Sequence, residues 1–97
     1  MEEKKIDIHL SEEVAEGVYS NLAIITHSSS EFIVDFVNLM PGLPKGNVKS
    51  RIILTPQNAK RLLNALQDNV YKYEEVNGTI KDGAQMTIPI VGSNAMA

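Results

Sequence analysis

The dipeptide Thr55-Pro56 divides this chain of 97 residues into two kinds of sequence. Threonine is a strong helix N-cap, and proline at the first helical position gives up only an N–H that has no intrahelical acceptor. Beyond it, Ala59, Leu62, Leu63, Leu66, Val70 and Tyr73 fall at i, i+3, i+4, i+7, i+11 and i+14. That spacing is one narrow apolar stripe, and it predicts a helix from residue 56 to about residue 75. Asn77-Gly78 stops the helix, with Gly78 suited to a left-handed cap.

The sequence before Thr55 alternates with period two. Residues 5–10 place Ile6, Ile8 and Leu10 on one side and Asp7 and His9 on the other, a short half-buried strand. Residues 11–17 are acidic and end in glycine, which reads as a loop or a single helical turn. Residues 18–27 and 31–40 are two further strands. Ser28-Ser29-Ser30 joins them by a turn too short for a parallel crossover, so they form an antiparallel hairpin. Residues 41–47, with two prolines and two glycines, form a loop. Residues 48–54 are the fourth strand, with Val48, Ser50, Ile52 and Leu54 on one face and Lys49, Arg51 and Ile53 on the other.

The expected fold is α+β: a four-stranded antiparallel meander followed by one long amphipathic helix packed on one face. Residues 1–80 form a single domain, and residues 81–97 form a flexible tail that gives at most an edge strand around Pro89. One helix covers one face of a sheet, yet both faces here carry apolar residues. In the third predicted strand Phe32, Val34 and Phe36 lie on one side, and Ile33, Val37 and Leu39 flank Asp35 on the other. A second covering layer is therefore expected, either a homodimer or a heteromeric complex.

Composition removes several functions. With no cysteine, disulfides, thiolate chemistry and the usual structural zinc sites are out of reach. No apolar run approaches the ~20 residues of a membrane span. The charged start has no apolar segment behind it, so no signal peptide is expected and the cytoplasm is the default location. His9 and His27 have no companion at a metal-ligand spacing. Ser28, Ser29 and Ser30 lack a nucleophile elbow, and Glu12, Glu13 and Glu16 have no buried partner. Phosphate and dinucleotide fingerprints are missing. No catalytic residue, cofactor or metal is expected, and the chain reads as a non-enzyme.

Charge is distributed unevenly. Residues 36–67 contain no Asp or Glu but hold Lys45, Lys49, Arg51, Lys60 and Arg61, a local charge of +5. The whole chain is −3, so the remainder carries −8. On the helix, Lys60 and Arg61 come first and Glu74 and Glu75 last, opposite to the order the macrodipole favours. One reading is an anion-binding end built from Lys49, Arg51, Lys60 and Arg61. The other is a solvated face in which Lys49 or Arg51 pairs with Asp35 across strands. With five aromatic residues and an acidic remainder, nucleic acid is not the expected partner.

The order of motifs resembles one family. Tyr19-Ser20-Asn21, Ser30-Glu31-Phe32-Ile33-Val34-Asp35-Phe36, Arg51-Ile52-Ile53-Leu54-Thr55-Pro56 and Ala59-Lys60-Arg61-Leu62-Leu63 look like the domain of unknown function 3467, a family of small bacterial proteins. The resemblance covers about residues 14–80. It implies no activity. It implies a transcription-linked partner, with RNA polymerase as the candidate. The strand–helix order also resembles the oligomeric export chaperone SecB. The expected function is a non-enzymatic protein-interaction module, with a SecB-like chaperone and a small-anion-binding domain as alternatives. The candidate partner-binding residues are Arg51, Lys60, Arg61, Lys49, Ile33, Val37 and Ile53.

Overall fold

The computed structural model describes residues 5–42 and 44–81. A four-residue helix, α1 (Glu12–Ala15), begins where the Ser11 hydroxyl accepts a hydrogen bond from the Val14 N–H. Three strands follow, β1 (Leu22–His27), β2 (Phe32–Leu39) and β3 (Gly46–Leu54), and then a 22-residue helix, α2 (Pro56–Asn77). The sheet is an antiparallel meander in the order β1-β2-β3. The expected α+β class, the antiparallel sheet and the long helix after it are all present.

The sheet has three strands, not four. Residues 5–10 are not part of it, and Ile6, Ile8 and Leu10 are all exposed. Alternation says which side chains would share a face. A strand also needs a neighbour whose N–H and C=O complete the ladder, and alternation does not supply one.

The Ser28 hydroxyl closes the turn between β1 and β2 by accepting from the N–H groups of Ser30 and Glu31. At the other end of the hairpin, Asn21 acts as one more ladder residue. Its Nδ2 donates to the Leu39 carbonyl at 2.9 Å, and its Oδ1 accepts from the Leu39 N–H at 2.8 Å. This gives the Tyr-Ser-Asn element a structural role: a side-chain amide fastens the start of β1 to the end of β2.

The pairing of β2 with β3 contains a bulge. Phe36 opposes Ser50, but the next residue, Val37, opposes Val48. Lys49 is therefore extra on β3. The bulge corrects the expected faces: Val48 joins Arg51 and Ile53 rather than Ser50, Ile52 and Leu54. At the start of β3, Gly46 lies under the Leu39 side chain. A Cβ there would sit 2.6 Å from Leu39 Cδ2 and 2.9 Å from Val37 Cγ1.

Both ends of α2 are capped at the residues the sequence predicts, although Gly78, with ψ 166°, is extended rather than left-handed helical. Thr55 Oγ1 accepts from the Asn58 N–H at 3.1 Å, and Pro56 opens the helix. Gly78 takes φ +87° and donates to the Glu74 carbonyl at 2.9 Å. The expected end at residue 75 moves to Asn77. The expected tail lies, apart from Lys81, outside the described residues.

Among the described residues the buried apolar side chains are Val34 and Val37, one on each face of β2. No residue of α2 is buried. The helix meets the sheet through its early turns. Asn58, Arg61, Leu62 and Ala65 stand across from Val34, Phe36, Ile52 and Leu54 around an open cleft of about 480 Å³.

Candidate interaction surface

Three surfaces deserve comparison: the outer face of the sheet, the cleft beneath α2 and the exposed side of α2 itself.

The outer face carries Ile24, Ile33, Asp35, Val37, Arg51 and Ile53, set side by side by the strand register. Asp35 and Arg51 are directly paired across β2 and β3. Arg51 Nε donates to Asp35 Oδ1 at 2.7 Å and its terminal nitrogen to Oδ2 at 2.9 Å. This bidentate fork is the strong geometry for a guanidinium and a carboxylate. The Arg51 hydrogen bonds and charge hold the Asp35 carboxyl below its ordinary pKa, against a smaller upward push from partial burial. The same pairing raises Arg51. The Asp35 side chain is 13% exposed and that of Arg51 60%.

This arrangement is the cross-strand pair that the sequence allowed as the alternative to an anion site. Arg51 spends its Nε and one terminal nitrogen on a carboxylate of its own chain. Ile33 lies opposite Ile53, and Ile53 is well exposed. Val37 is buried, so its side chain serves the chain's own packing. Lys49 is the bulge residue.

The cleft lies on the other face. Its walls are almost entirely apolar, and Arg61 is the one formal charge among its lining residues. Lys60 and Arg61 sit in the first two turns of α2 with no ion-pair partner among the described residues. The five basic residues therefore do not make one patch: Arg51 points to the outer face, whereas Arg61 borders the cleft. No group of His, Cys, Asp and Glu among the described residues could hold a metal ion. His27 ends β1 with its ring stacked on Phe32, centroids 5.3 Å apart. His9 lies in the segment that did not join the sheet.

The exposed side of α2 is the third surface. Leu63, Leu66 and Tyr73 are each more than half exposed, and Val76 is 83% exposed. The stripe seen in the sequence thus divides. Leu62 leans into the cleft with Ala65, while Leu63, Leu66, Val70 and Tyr73 turn away from it. Sequence reasoning missed Val76, because Val76 falls outside the stripe that began at Ala59. It also missed Ala65, whose small side chain gives little signal. Past the helix, Ile80 folds back beside Asn69, Val70 and Tyr73, held by a bond from its N–H to Glu74 Oε2 at 2.9 Å.

No helix among the described residues is long and apolar enough to cross a membrane. The model of the protein family described as Protein of unknown function (DUF3467) matches residues 1–82. No curated protein and no solved structure matches the chain.

Proposed function

The chain belongs to the DUF3467 family, and from that premise we propose that it is a non-enzymatic protein-interaction module of a bacterial cytoplasmic complex. One observation carries the reading: a capped 22-residue helix with an apolar stripe has no buried residue. An amphipathic helix draws most of its stability from packing its apolar face. Here that face is open to water, as is Ile53 on the far side of the sheet. Contiguous exposed apolar surface of this kind marks interaction sites. The polar groups are consistent with the same reading, since the bidentate pair of Asp35 with Arg51 is tied within the chain.

RNA polymerase is the partner proposed, on the strength of the family resemblance. Affinity purification of the tagged native protein, with partners identified by mass spectrometry, tests this. Stoichiometric recovery of polymerase subunits is the expected result. Recovery of the chain alone would remove the polymerase assignment.

A second reading, a SecB-like chaperone, draws support from the apolar cleft between α2 and the sheet. It predicts that the purified protein suppresses aggregation of unrelated unfolded chains. Inactivity in that assay would dismiss it.

A further inference from the structure

The side of α2 turned away from the cleft has a period of its own. Ala59, Leu63, Leu66, Val70, Tyr73 and Asn77 are separated by steps of four, three, four, three and four residues. This is the heptad alternation by which one helix meets another. The row lies roughly a third of a turn round the helix from the side facing the cleft. The chain's own sheet therefore does not face it; Ile80 lies beside Val70 and Tyr73 near its far end, and the row as a whole suits a second helix.

We infer that the α2 helices of two copies of this chain pair antiparallel, about a two-fold axis at the level of residue 68. The inference deepens the interaction-module reading by naming one partner, and it rests on that reading only in requiring the helix face to be covered.

Charge gives the direction. Lys60, Gln67 and Glu74 form the row beside the seam on the side away from the cleft. An antiparallel pair sets Lys60 beside the partner's Glu74 at both ends and Gln67 beside the partner's Gln67 in the middle. A parallel pair would instead collect the Lys60 and Arg61 of both copies at one end and the acids at the other. The reversed charge order along α2, unfavourable to its own macrodipole, becomes favourable when a neighbouring helix runs the opposite way. Glu74 is also held in place by the Ile80 N–H, so its carboxylate is fixed before a partner arrives.

Packing gives the register. Only with the axis at residue 68 are all six seam positions engaged. Leu66 then meets the partner's Val70, Leu63 the partner's Tyr73, and Ala59 the partner's Asn77. The other flank of the seam brings Leu62, which lines the cleft yet is 45% exposed, against the partner's Val76. That contact accounts for Val76, the most exposed apolar side chain of the helix. A two-fold arrangement makes each contact twice, as an isologous interface requires.

Light scattering of the full chain across micromolar concentrations, on the wild type and on variants, decides the matter. The wild type is expected to be a dimer. Leu66→Asp sets charges into the seam and weakens dimerisation on the order of 100-fold or more. Lys60→Glu alone and Glu74→Lys alone each weaken it on the order of tenfold, because each homodimer then carries two like-charge contacts. An equimolar mixture of those two variants recovers dimers, since their heterodimer has opposite charges at both ends. Recovery also proves that both variants fold. A dimer indifferent to all three substitutions overturns the helix pairing and leaves the module reading standing. A monomeric wild type also overturns the pairing, and partner capture alone then decides the module reading.

Discussion

Strand β2 and helix α2 both test apolar patterning in this molecule, and they come out differently. Every residue of β2 is at least half-buried, and Val34 and Val37 are the most buried of them. It is paired along both edges, with one bulge toward β3, and its one charge, Asp35, is neutralised by Arg51. In α2 the backbone is equally well satisfied, by Thr55 at one end and Gly78 at the other. Its side chains are not: leucines stand half in water along its length. Hydrogen bonding thus completes both elements within one chain, whereas burial completes only the strand. A hairpin-based sheet finds its neighbours through short connections. A single helix following three strands covers only part of one face, which leaves its remaining apolar side chains for the second body proposed above.

The difference can be broken from either side. Val34→Asp places a charge in the most self-sufficient part of the molecule. It should cost more than about 3 kcal/mol and abolish cooperative urea unfolding at every protein concentration. Leu66→Asp, by contrast, should leave the circular dichroism of the diluted protein intact and remove only the concentration dependence of the melting temperature. Equal damage from both substitutions in dilute solution would erase the distinction. Thr55→Ala removes the side-chain cap of α2 and should cost about 1 kcal/mol in chemical denaturation. An unchanged midpoint would mean that the cap adds nothing in water.

The smallest expected effect is that of pH on the strand pair. Asp35 titrates below its ordinary range in the folded chain, so on acidification the unfolded chain takes up its proton first. The stabilisation is therefore complete above about pH 4 and is lost as the pH falls through the lower, folded value. Asp35→Asn should flatten this part of the acid unfolding curve. An unaltered curve would show that the fork contributes no linkage.

Legibility in the sequence followed the same division. The helix could be read because its caps are local: Thr55-Pro56 and Asn77-Gly78 need no tertiary partner to act. The hairpin could be read because Ser28-Ser29-Ser30 is too short for any other connection. The bulge at Lys49 could not, because the residues of β3 alternate equally well with or without one extra residue, and only the partner strand exposes the slip. Residues 5–10 misled for a related reason, since Ile6, Ile8 and Leu10 have a strand's pattern without a strand's neighbour. On the surface side, the pairing of Arg51 with Asp35 was open as one of two alternatives, because cross-strand register decides it. The split of the helical stripe between Leu62 and Leu63 depended on the direction from which the sheet approaches, which periodicity does not contain.

Hydrogen exchange resolved along the chain, at several protein concentrations, tests the central claim most directly. The account predicts that amides of β2 show the same protection throughout. Those of α2 between Ala59 and Asn77 should gain protection as concentration rises through the dimerisation range. Full protection of α2 in a solution that light scattering shows to be monomeric would mean that the chain covers this helix by itself, and would contradict the account.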